Sequence, residues 1–143
     1  MFVKCKMWVL LLLLVLNVIS VATLREPDNL HKVKELYTTF LDNVPAKFPK
    51  LKNRSIITGF HGSGNEVGYN VNKGYEIGLC MDGTPNQMFH VLLHELAHTT
   101  VKSYDHTDEF WKNLKELKSH CSRLGIYEEI PAHTSFCGKY IRD

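Results

Sequence analysis

Val91-Leu92-Leu93-His94-Glu95-Leu96-Ala97-His98 is an apolar run broken by two histidines and one glutamate. Upstream, Thr84 can cap a helix with Pro85 at its first position and Gln87 three residues on, which predicts a helix running to about Lys102. Helical residues four apart lie about 40° apart around the axis and about 6 Å along it. His94 and His98 therefore share a face and can converge on one tetrahedral Zn²⁺. Glu95, one step on, falls beside the metal, where it can take a proton from water that the ion acidifies and pass it to a leaving amine. Leu93, Leu96 and Ala97 surround this face. Unpartnered His and Glu buried there would be costly, which argues for a metal over surface decoration.

A catalytic zinc takes three protein ligands and keeps one position open. His106 lies eight residues after His98, beyond Ser103-Tyr104-Asp105, which reads as the helix end. A chain that turns there swings His106 back over the metal. Asp105 is its neighbouring rival, with Glu116, Glu128 and Glu129 further away. In the spacing HExxHxxGxxH the third histidine would fall at Tyr104 and the glycine at Val101, so that pattern does not apply. His90, about one turn before His94, reads as a core or rim residue. Tyr104, His90, Tyr127 and His133 are all candidates to stabilise an oxyanion.

Outward from this helix the pattern is α+β. Asp28 is placed to cap a first helix carrying Leu30, Val33, Leu36 or Tyr37, Phe40 and Leu41, ended by Pro45 and Pro49. Ile56–Phe60 reads as a strand, and His61-Gly62-Ser63-Gly64 as a turn. A hairpin over 67–81 follows, forming a small antiparallel sheet. Val67, Tyr69 and Val71 alternate on one side of the Asn72-Lys73-Gly74 turn, and Tyr75, Ile77, Leu79 and Met81 on the other, each set predicted to give its strand one apolar face. Phe110, Leu114, Leu117 and Cys121 mark a last helix stopped by Gly125. The tail, residues 126–143, reads as irregular.

Residues 1–24 are of a different kind. Lys4 and Lys6 precede an apolar stretch from Met7 to Ile19, broken only by Asn17, with small residues at Ser20, Ala22 and Thr23. These are the parts of a secretory signal peptide, and 7–24 is also just long enough for a signal-anchor helix. Either reading sends residues 25–143, a single domain, into the secretory pathway, as a lumenal, extracellular or membrane-anchored protein. The two lysines account for the whole formal charge of +2, so residues 25–143 are neutral and carry no electrostatic footprint for nucleic acid. Lys47, Lys50, Lys52 and Arg54 form the one basic cluster, read as a solvated face. Beyond Cys5 three cysteines remain, Cys80, Cys121 and Cys137, which allow one disulfide at most. Asn53-Arg54-Ser55 is a glycosylation sequon that matters only if the domain is lumenal.

His94-Glu95-Leu96-Ala97-His98 followed by His106-Thr107-Asp108-Glu109-Phe110-Trp111 resembles the HELxH, spacer, HxxxFW pattern of the WLM and SprT-like small zincins. The hairpin Gly68–Cys80, with Gly125-Ile126-Tyr127 and Phe136-Cys137-Gly138, is similar to WLM-like proteins of large DNA viruses. The resemblance covers roughly Val67 to Gly138. It implies a compact zincin-like domain with His94, His98 and His106 as zinc ligands and Glu95 as the catalytic acid/base, hydrolysing peptide bonds in a protein or peptide substrate. It also implies viral origin, with the virion membrane as one destination. Some relatives act on proteins crosslinked to DNA. The leader and the neutral domain point away from that role and leave three alternatives to a membrane-associated protease: a zinc-stapled structural protein, the DNA-linked protease, and a hydrolase of another amide.

Overall fold

The computed structural model describes residues 2–62, 64 and 66–141. Phe2–Thr23 forms helix α1. Its window Lys6–Thr23 has a mean hydropathy of 2.1 and no buried share, so the helix is long and apolar enough to cross a membrane.

Helix α2 (Asp28–Leu41) turns Leu30, Val33, Tyr37 and Phe40 into the core at the expected spacing. Asp28 is not its cap. Pro27 holds that position, and Asp28 opens the first turn, where a negative charge suits the helix dipole. A 3₁₀ turn, Pro49–Lys52, buries Leu51. The backbone N–H of Ser55 then donates to the Tyr37 hydroxyl at 2.9 Å, tying the next strand to α2.

That strand changes the expected sheet. β1 (Ile56–Phe60), β2 (Gly68–Val71) and β3 (Glu76–Cys80) lie in the order β1-β3-β2. β2 and β3 form the antiparallel hairpin, but β1 pairs with β3 in parallel, Ile57 opposite Ile77, so the sheet is mixed. The reason lies in β3. Ile77, Leu79 and Cys80 are fully buried, and a buried central strand must have both edges hydrogen-bonded. Ser63, in the turn expected after β1, lies outside the described residues.

The hairpin's faces also differ from expectation. Tyr69 and Val71 point outward, and the strand turns Gly68 and Asn70 toward the helical layer. Tyr69 stacks on Phe60 and covers Gly78, where a Cβ would sit 2.2 Å from the tyrosine ring. The helix on the other face comes so close that a Cβ on Gly68 would lie 2.6 Å from Val91 Cγ1. Close approach has selected glycine and a hydrogen-bonding residue over apolar ones.

Helix α3 (Pro85–Thr100) is the axis of the domain, packed against α2, β2, β3 and α4 (Asp108–Arg123). Its capping box forms as expected: the Thr84 side chain accepts from Gln87 N, and Gln87 Oε1 accepts from Thr84 N. Gly125, at φ +71°, stops α4. The tail is irregular as far as His133 and regular beyond it. β4 (Thr134–Phe136) and β5 (Lys139–Ile141) form a hairpin around Cys137-Gly138, both at positive φ, as a two-residue mirror-image turn requires. A disulfide between Cys80 and Cys137 fastens this hairpin to the end of β3, and Cys121 is left as a buried free thiol.

Candidate metal centre

Helix α3 presents His94, Glu95 and His98 toward a cleft of about 470 Å³. After Thr100 the helix stops, with Val101 extended, and Thr107 caps α4 by accepting from Phe110 N. The chain between them doubles back, bringing His106 Nε2 to 3.0 Å from His94 Nε2 and 3.1 Å from His98 Nε2. Asp105, the neighbouring rival, is drawn away: its carboxylate accepts from the Ser103 hydroxyl and its N–H donates back to that oxygen.

Three converging ring nitrogens form a group that could hold a metal ion. His106 Nε2 offers one proton or one lone pair, so it cannot satisfy both neighbours as ordinary hydrogen bonds. A cation at the centre accepts all three lone pairs at once. Nitrogens about 2.05 Å from a tetrahedral ion lie ~3.3 Å apart, close to the spacing seen. The donor chemistry fits a borderline-soft divalent ion of the zinc type.

The electrostatics agree with a neutral donor set. Burial, with the nearby charges of His98 and His106, lowers His94 to about 3. Burial, then His106 and Lys73, lowers His98 to about 4. Both rings are deprotonated at neutral pH, as ligands must be. Glu95 is buried, and loss of solvation pushes its carboxyl up to about 7, into the range where a group can both take and return a proton near neutrality. Phe110 forms the floor, its ring 4.4–5.0 Å from all three imidazoles, and the half-exposed Trp111 flanks His106.

Of the four oxyanion candidates, His90 and Tyr127 are brought together. His90 is buried at the cleft and its Nδ1 lies 2.9 Å from the Tyr127 hydroxyl. Tyr104 is exposed over Lys73, and His133 packs edge-on against Tyr140. Glu116 pairs with Lys47, away from the histidines. Sequence reading missed Lys139 and Tyr140, which line the cleft because the disulfide holds their hairpin beside it. It also missed Asn70, whose amide donates to Glu95 O at 2.7 Å and Thr99 Oγ1 at 3.1 Å, tying β2 to α3.

The WLM domain family model matches residues 55–133, more than half of the chain and all four of His94, Glu95, His98 and His106. An uncharacterized protein of Invertebrate iridescent virus 6 is 31% identical over 97 residues, covering 61% of this chain and 54% of its own. An uncharacterized protein of Acanthamoeba polyphaga mimivirus is 33% identical over 88 residues, covering 54% of this chain and 45% of its own. The chain thus spans about half the length of these curated relatives. No solved structure gives a significant match.

Proposed function

The chain belongs to the WLM domain family, and on that premise we propose that it is a zinc-dependent metallopeptidase of the zincin type. The observation that carries this reading is the convergence of His106 Nε2 on both His94 Nε2 and His98 Nε2 beside a buried Glu95. In this reading the three imidazoles hold a zinc ion, which when bound supplies Lewis acidity to the scissile carbonyl and to water. Glu95 Oε1 or Oε2 would take a proton from the water that attacks the carbonyl carbon and deliver it to the amine nitrogen as the C–N bond breaks. Burial, which raises its carboxyl to about 7, suits both directions of that transfer.

The substrate in this reading is an extended polypeptide. β2 is an edge strand among the described residues, with Gly68 beside the cleft, which supports addition of a substrate backbone along it as a further strand. A purely structural zinc site would have no use for a buried carboxylate one residue from a ligand, which disfavours the zinc-stapled structural alternative.

The domain is proposed to work in a lumenal or extracellular compartment, with α1 as its signal or its anchor. Support comes from the Cys80–Cys137 disulfide, which persists in oxidising surroundings, and from the exposed Asn53 of the sequon. The test is proteolysis of unfolded protein substrates by the zinc-loaded chain with Glu95→Gln as control. Loss of about 10²–10⁴-fold in turnover at unchanged zinc content is expected. Undiminished cleavage would overturn the assignment of Glu95.

A further inference from the structure

We propose that Lys73, at the turn between β2 and β3, is a positioning residue that sets the place of His106 and so the strength of metal binding; this rests on the three-histidine reading above. The Lys73 ammonium donates to the carbonyl oxygens of His98 at 3.2 Å, Val101 at 3.2 Å and Ser103 at 2.8 Å. It also lies 3.9 Å from the centre of the Tyr104 ring. An ammonium has three protons, and here each has an acceptor.

Those acceptors mark the path the chain must take. The last carbonyls of a helix have no partner within it, and they form the negative end of its dipole. One cation gathers a carbonyl from α3 and two from the segment that follows, bending residues 101–103 around itself. That bend decides whether His106 returns to His94 and His98 or swings into solvent. The bonds that Asp105 N makes to Ser103 Oγ and Thr107 N to Asp105 O are local to the segment, and it is the His106 ring that meets α3.

The hairpin holds Lys73 in position. Lys73 has φ +53°, a conformation that is costly for a residue with a side chain. Gly74 follows at φ +99°, packed so close to Thr99 that a Cβ would lie 2.9 Å from its hydroxyl, and its N–H donates to Asn70 Oδ1 at 2.7 Å. Asn70 in turn donates to Glu95 O. The turn is thus locked to the same helix whose end it shapes. Lysine suits the place because its three protons diverge toward three separate carbonyls, which a planar guanidinium does not match.

The sign of the effect separates positioning from simple charge. A positive group near the histidines opposes a bound cation. Acting through charge alone, Lys73 would weaken zinc, and its removal would tighten binding. Acting through His106, its removal loosens binding.

The experiment is zinc affinity by competition with a chromophoric chelator, on the full chain in detergent, for the unsubstituted protein, K73M, H106A and K73M/H106A. K73M should weaken zinc by ~10–100-fold, as loss of groups that orient a ligand does. In the H106A background the same substitution should change affinity less than ~3-fold, because the ligand it orients is gone. Unchanged or tighter binding by K73M overturns the proposal, as does an equal loss in both backgrounds. Should K73M not fold, K73R keeps the charge and decides: weaker zinc at unchanged circular dichroism supports positioning, and unchanged affinity overturns it. Zinc missing from the unsubstituted chain would instead overturn the three-histidine reading beneath it.

Discussion

Gly68 lets β2 close onto Val91: a Cβ at Gly68 would meet Val91 Cγ1 at 2.6 Å, with Glu95 Oε1 in ordinary contact at 3.5 Å. The sheet and the helix that carries the histidines are in van der Waals contact at this point, so the carboxylate's surroundings are set by a backbone.

Gly68→Ala should therefore push α3 away from β2, with a loss of about 1–3 kcal/mol of stability from overpacking. Urea denaturation of the two proteins measures this. A midpoint equal to that of the parent would mean that Val91 yields freely and that the close approach is not a constraint.

The Cys80–Cys137 bond spans 57 residues of sequence. Closing a loop of that size removes unfolded-state entropy worth about 4 kcal/mol. Replacing both cysteines with serine should cost stability of that order and free Lys139 and Tyr140 from the cleft wall. A thiol titration checks the bond itself: the chain unfolded without reductant should show two reactive thiols fewer than the same chain reduced, with Cys121 among those that react. Equal numbers would contradict it.

Acid should weaken the metal-free protein. His94 and His98, lowered from 6.5 to about 3 and about 4, hold fewer protons folded than unfolded once the pH drops below about 6.5. Stability from this source is complete above 6.5 and is lost as pH falls toward 4. Glu95, raised from 4.5 to about 7, acts in the opposite sense over 7 to 4.5 and offsets part of the loss. With a chelator present, the urea midpoint should drop from pH 7 to pH 5, and drop more steeply in Glu95→Gln. A shallower drop in that variant would show that Glu95 is not protonated preferentially in the folded state.

Much of this was legible in the sequence because it is local. The Thr84 and Gln87 cap, the four-residue spacing of His94 and His98, the Gly125 stop and the Asn72-Lys73-Gly74 turn each depend on neighbours along the chain. The structure also brings His106 to the α3 histidines, from which only a short segment separates it. What escaped depends on partners far apart. The parallel pairing of β1 with β3 joins residues 20 apart around an intervening strand. The choice of Cys137 over Cys121 for Cys80 needs a hairpin whose strands are three residues each. Asn70 looks like a polar hairpin residue until α3 is laid against it, and Lys73 like a solvated one until the carbonyls at 98, 101 and 103 gather around it.

The measurement that reaches the central claim most directly is the zinc content per chain of the purified protein, by elemental analysis, beside the same measurement on His106→Ala. The account predicts close to one zinc per chain, falling sharply when His106 is removed, since two imidazoles alone do not complete the site. A folded chain that carries no zinc and takes up none when it is supplied would contradict it, and His94, Glu95 and His98 would then be polar residues of a cleft with no metal.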